Sequence, residues 1–130
     1  APDGGFVHDS YNSPDSVNSI KWNDVTIHRS VMEYYKGLIA IRKNYPVLRL
    51  RTGDEIREKL SYEPAENGAV IAHIGNLLLL VNPGDEPLER RISGKADILA
   101  DSRKASAEPL YSVEGTVTAA PHSVTLAEIR

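Results

Sequence analysis

The chain has 130 residues, a formal net charge of −3 and 41% hydrophobic residues, which fits one compact domain or a small domain carrying an extra helical piece, and excludes the basic composition of a nucleic-acid binder. It contains no cysteine, which removes disulfides and thiolate chemistry without fixing a compartment. No segment approaches the roughly 20 apolar residues that a membrane span needs.

Ala1-Pro2-Asp3-Gly4-Gly5 lacks the basic start and apolar stretch of a signal peptide and reads as the beginning of a piece cut from something longer. The next distinctive stretch, Ser10 to Trp22 (SYNSPDSVNSIKW), is polar, turn-rich and yet aromatic. Pro14 favours an extended or turn conformation at Ser13, and Asn12, Asp15 and Asn18 supply side chains that close local turns or reach a ligand. Tyr11 and Trp22 bracket them. Aromatic faces alternating with amides and a carboxylate suit a sugar, whose ring has apolar C–H patches and a rim of hydroxyls. The other reading is a surface loop held by its own turns, with Trp22 plugging the core.

Ser30-Val31-Met32-Glu33 has the spacing of a capping box, so a helix is expected over residues 31–45. Val31, Tyr34 or Tyr35, Leu38, Ile41 and Tyr45 recur at helical spacing, Arg42 and Lys43 gather at the C-terminal end, and Pro46 stops the pattern. A stripe of this kind is expected to pack on the strand region or on a second copy of the chain, the latter giving self-association. Thr52-Gly53-Asp54-Glu55 repeats the capping-box spacing and predicts a short connecting helix over 53–59.

From Leu60 the period becomes strand-like. Leu60–Glu63, Ala69–Ile74, Leu77–Asn82, Leu88–Ile92, Ala96–Ala100, Pro109–Val113, Thr116–Ala119 and Val124–Ile129 give about eight short strands at the spacing of an antiparallel sandwich. Asn67-Gly68, Gly75-Asn76 and Glu114-Gly115 are the expected turns, and the continuous run Leu77-Leu78-Leu79-Leu80-Val81 predicts a central strand. His73 and His122 lie in or beside strands without partners at metal-ligand spacing, and read as surface or hydrogen-bonded histidines. No phosphate loop, nucleophile elbow or dinucleotide fingerprint is present, so no cofactor is expected.

The string SYNSPDSVNSIKW followed by VMEYYKGLIAIRKNYPVLRL closely resembles the end of the catalytic domain of type I pullulanases, debranching enzymes of the α-amylase family. In that family the first string is the loop after the eighth strand of a (β/α)8 barrel, the second is the eighth barrel helix, and a Greek-key β-sandwich follows. The resemblance implies residues 1–51 as the end of the catalytic barrel, 52–60 as a short helical connector and 61–130 as a C-terminal β-sandwich. It implies a parent enzyme that hydrolyses α-1,6-glucosidic linkages in pullulan, starch or glycogen, with Tyr11, Asn12, Asp15 and Asn18 on the rim of the α-glucan cleft and Trp22 structural. Phe6-Val7-His8-Asp9 is similar to a string that bears a transition-state-stabilising aspartate in α-amylase relatives, but here no barrel strand separates it from the loop, so His8 and Asp9 read as loop residues. Retaining glycosidases need two carboxyl groups about 5–5.5 Å apart. The family's catalytic carboxylates stand earlier in the barrel, so no catalytic residue is expected here and the piece alone is expected to be inert. The alternatives are another α-amylase-family specificity, such as an amylopullulanase, or a non-catalytic carbohydrate-binding or interaction module. Tyr62 and Tyr111, the strand region's two aromatics, are few for a sugar platform.

Overall fold

A strand points successive side chains to opposite faces, so the run Leu77–Val81 is stable only where both faces are covered. In the computed structural model, which describes Gly5 and residues 10–130, every residue of that run is buried or half-buried. Phe6-Val7-His8-Asp9 lies outside the described residues. Three helices come first: α1 Asp15–Asn18, α2 Asn23–Ile27 and α3 Arg29–Asn44. A 3-10 turn at Pro46–Arg49 and helix α4, Gly53–Lys59, lead to the strands β1 Leu60–Glu63, β2 Val70–Ile74, β3 Leu77–Asn82, β4 Leu88–Ala100, β5 Tyr111–Ala119 and β6 Ser123–Ile129.

The domain is mainly β, as expected, and every strand pairing is antiparallel. The six strands lie in the order β1-β2-β3-β6-β4-β5, so that β6, reached from β5 through residues 120–122 alone, lies between β3 and β4. There are six strands rather than about eight because two expected breaks are bends within longer strands. The register slips between Arg91 and Lys95, setting Ile92, Ser93 and Gly94 of β4 opposite Gly115 of β5. Gly115 takes φ +78° inside its strand, a conformation open to glycine. Ser93-Gly94 and Glu114-Gly115 are therefore the two sides of one bulge, which curves the ribbon instead of ending it.

Curvature brings distant parts of the sheet together. Arg90 of β4 donates hydrogen bonds of 2.6 and 2.9 Å to Glu63 of β1. Asn82, at the end of β3, donates to the carbonyls of Ala119 and Ala120, each at 3.1 Å. Between the doubled layers lies an inner core of Ile71, Leu78, Leu80, Ala96, Ile98, Val117, Ala119 and Ala127. The intervening positions Leu77, Leu99, Ala100 and Leu126 face the other way and pack with Ile41 of α3.

Helix α3 is seated on this outer face. Ile41 is buried, the Tyr34 hydroxyl donates to the Asp101 carbonyl at 2.7 Å, and the Tyr45 hydroxyl donates to the Glu128 carboxylate at 2.7 Å. Burial and the Glu128 carboxylate together push the Tyr45 phenol up to about 12. The helix runs from Arg29 to Asn44 rather than over 31–45, and the capping box expected at Ser30–Glu33 is not formed. The amides of Val31 and Met32 already bond to the His28 carbonyl, so Ser30 is inside the helix, and Glu33 pairs with Lys36 at 3.1 Å. The second capping box is present, with Thr52 and Glu55 each satisfying the other's backbone amide at the start of α4.

Seating depends on Gly37. A β-carbon placed there would lie 1.9 Å from the backbone oxygen of Ala105, so only glycine permits this approach. An exposed helical Gly→Ala change stabilises by about 1 kcal/mol, whereas overpacking costs about 1–3 kcal/mol or more. Gly37→Ala is accordingly expected to destabilise the chain despite its better helix propensity. Urea denaturation checks the sign, and a higher midpoint for the variant would show that the helix is not held against Ala105.

Candidate functional site

The loop that precedes α3 is held by its own polar groups. Asn12 occupies the left-handed region at φ +59°, and the Ser13 amide closes a turn onto the Ser10 carbonyl at 3.0 Å. Asn18, at the end of α1, donates from its side-chain nitrogen to the carbonyls of Ser10 (2.8 Å) and Ser13 (3.1 Å). The Lys21 ammonium reaches the carbonyls of Asp15 and Ser16 and the Ser19 hydroxyl, at 3.4, 3.1 and 2.6 Å. Of the four expected rim residues, Tyr11 projects into solvent at 92% exposure, and Asn12, Asp15 and Asn18 are exposed on the same short segment. Residue type singles out these four as the expected rim; it does not single out Lys21, whose contacts come from a folded-back turn that residue spacing does not reveal.

Trp22 does not plug the core: it is 74% exposed. It belongs with other uncovered apolar side chains, Ile20 and Ile27 before α3 and Val31, Tyr35, Leu38 and Ile39 on α3 itself. The apolar stripe expected on the helix is thus two stripes. Tyr34, Gly37, Ile41 and Tyr45 meet the sheet, Val31 and Leu38 flank that face and stay exposed, and Tyr35 and Ile39 face away from it.

The strand region offers less. His73 is paired with Glu63, and His122 with Asp85 at 2.8 Å. Among the described residues no group of three or more histidine, cysteine, aspartate or glutamate side chains is arranged to hold a metal ion, and no helix is long and apolar enough to cross a membrane. Tyr62 and Tyr111 are both exposed, but they stand on β1 and β5, the two ends of the strand order, and make no common platform. A groove of about 520 Å³ runs between His73, Asn76, Arg91, Ser93 and Ile129 without an aromatic wall.

A helix clamped to the back of a doubled antiparallel sheet, with a braced polar loop ahead of it, defines a mainly-β domain that carries a helix and a loop on its outer face. The comparisons with known proteins make this particular. No protein-family profile matches the chain. It is 27% identical over 135 aligned positions to Pullulanase A of Streptococcus pneumoniae, covering 85% of this chain and 11% of that protein, and 35% identical over 54 positions to the pullulanase of Bacillus subtilis strain 168, covering 42% of this chain and 8% of that one. The solved pullulanase of Bacillus acidopullulyticus superposes with a TM-score of 0.86 at 23% identity, over 95% of this chain and 16% of the other. The pullulanase of Paenibacillus barengoltzii, solved with maltohexaose and α-cyclodextrin, superposes with a TM-score of 0.69 at 30% identity, over 97% of this chain and 21% of the other. The chain is of pullulanase type, and it spans about a tenth of the length of the Streptococcus pneumoniae relative.

One charged group in the strand region carries a measurable signature. Hydrogen bonds from Arg90, and secondarily from His73, hold the Glu63 carboxyl down at about 2, against an ordinary value of 4.5. A carboxyl that is more acidic in the folded chain than in the unfolded one stabilises the fold above the unfolded value, and that stabilisation is lost as pH falls through the folded value. Glu63→Gln is therefore expected to be less stable than the natural chain at neutral pH, with the gap closing as pH falls from about 4.5 towards 2. Denaturant midpoints at stepped pH test this, and a gap independent of pH would refute it.

Proposed function

We propose that this chain closes the catalytic part of an enzyme that hydrolyses α-1,6-glucosidic linkages in pullulan, starch or glycogen. In this reading residues 1–51 finish the barrel, 52–60 connect, and 61–130 form the β domain that shields the barrel's flank. The observation that carries it is the two-sidedness of α3. One side is buried on the sheet, while Val31, Tyr35, Leu38 and Ile39, continued by Trp22 and Ile27, remain uncovered beside the polar loop. A barrel helix must pack inward on its strand as well as outward on whatever domain adjoins it. Solved pullulanases with maltose and with maltotetraose share this chain's fold, which supports an α-glucan as the ligand of the loop.

Tyr11, Asn12 and Asp15 are then the loop's contacts to the glucan rim, with Asp15 accepting hydrogen bonds from glucose hydroxyls. The chain itself does no chemistry in this reading. The carboxylates in and just after the loop have other places: Asp15 begins α1, Asp24 lies in α2, and Glu33 is paired with Lys36 on α3. A charge-assisted hydrogen bond is worth about 1.5–3 kcal/mol. Asp15→Ala in the full-length enzyme is expected to lower kcat/KM on branched α-glucans by roughly tenfold or more, and unchanged kinetics would remove the contact. The isolated chain is expected to release no reducing sugar from pullulan; release by a sample free of other glycosidases would overturn the assignment of the chemistry to the missing barrel. Micromolar binding of maltotriose by the whole isolated chain would instead favour a self-sufficient binding module.

A further inference from the structure

We propose that Asn18 is a positioning residue and not a glucan contact: its side-chain amide holds the Ser10–Ser13 turn in the shape that presents Tyr11, Asn12 and Asp15. The proposal rests on the reading of this loop as a glucan rim and assigns a different task to one of its members. A carboxamide has two N–H donors. Asn18 directs its nitrogen to the Ser10 carbonyl at 2.8 Å and to the Ser13 carbonyl at 3.1 Å, so both donors are committed to the chain's own backbone. To donate to a sugar hydroxyl, Asn18 would have to release the turn.

The bonds span eight and five residues of sequence and cross from the end of α1 back to the entry of the loop. They therefore fix more than a local turn, and the turn they fix needs fixing. Asn12 holds a left-handed backbone conformation at φ +59°, which an unsupported asparagine readily abandons. Lys21 provides the second brace, its ammonium spanning the Asp15 and Ser16 carbonyls and the Ser19 hydroxyl at the other end of α1. Ordering a rim before substrate arrives removes that entropy cost from binding, so the energetic effect of such a brace appears in substrate affinity.

The test separates donor from acceptor chemistry at one atom pair. In the full-length enzyme, Asn18→Asp keeps an acceptor for a sugar hydroxyl but turns a carboxylate onto two carbonyls, while Asn18→Ala removes both possibilities. A positioning role predicts that both variants raise KM on pullulan by roughly tenfold, with kcat changed far less. In both, amide hydrogen exchange at Ser10–Ser13 should be faster and the unfolding midpoint unchanged, since the segment is exposed. Lys21→Met should give the same pattern more weakly. If Asn18→Asp retains normal KM while Asn18→Ala loses it, Asn18 touches the substrate through its oxygen and the proposal fails. If neither variant accelerates exchange at Ser10–Ser13, the brace does not exist and the proposal also fails. Asp15→Ala, assayed beside them, tells the two readings apart. Accelerated exchange in the Asn18 variants, with no kinetic change in any of the set including Asp15→Ala, keeps the brace and overturns the glucan rim.

Discussion

The structure depends on the burial of both faces of the strand triplet β3-β6-β4. Alternate residues of these strands serve different cores: Leu78, Leu80, Ile98 and Ala127 point into the doubled sheet, and Leu77, Leu99 and Leu126 point out to α3. An antiparallel sheet ordinarily leaves one face to water and alternates polar with apolar residues. Here the last five residues of β4, Ala96 to Ala100, are all buried, and only a second layer on the outside makes that tolerable. Ile41 in the last turn of α3, and the glycine that lets the helix approach Ala105, supply that layer.

From this seat follows the placement of the polar loop. Helix α3 is tied to the sheet by Tyr34, in its second turn, through the Asp101 carbonyl and by Tyr45, just past its end, through Glu128. The loop ahead of the helix is stiffened separately, by Asn18 and Lys21 acting on backbone carbonyls. Binding groups carried on loops are useful when a rigid scaffold aims them. The β domain thus acts on the loop at a distance, by fixing the helix that the loop precedes.

Local signals in the sequence were legible and long-range ones were not. The Thr52–Glu55 capping box, the Gly75-Asn76 hairpin and the two-sided burial of Leu77–Val81 all depend on neighbours in sequence, and the structure has each of them. The Ser30–Glu33 spacing is the same local signal, and it misleads because His28, the residue that ends α2, already supplies the carbonyl that starts α3 at Arg29, two residues before Val31. Glu114-Gly115 looks like a turn when read singly, and residues 93–95 like a gap between two strands. Only their position opposite one another makes them a bulge, and that pairing joins residues about twenty apart in the chain. For the loop, residue type pointed to Tyr11, Asn12, Asp15 and Asn18, but type alone does not distinguish an asparagine that meets a ligand from one that meets its own backbone.

The same helix shows why a boundary drawn from sequence and a boundary drawn from packing need not agree. By resemblance α3 closes a barrel, and the connector over 53–59 would then be the natural place to divide the chain. By contact, Ile41 belongs to a core with Leu77, Leu99, Ala100 and Leu126, and Tyr45, Val47 and Leu48 pack against it. Cutting at the connector would strip the outer face of β3, β6 and β4 and leave a row of leucines in water, the arrangement that invites association in place of folding. In the proposed barrel, α3 would have one face in each of two cores and would couple them, since neither could loosen without exposing part of the other's apolar surface. The energetic unit of the strand region therefore begins near Tyr34, well before the first strand at Leu60.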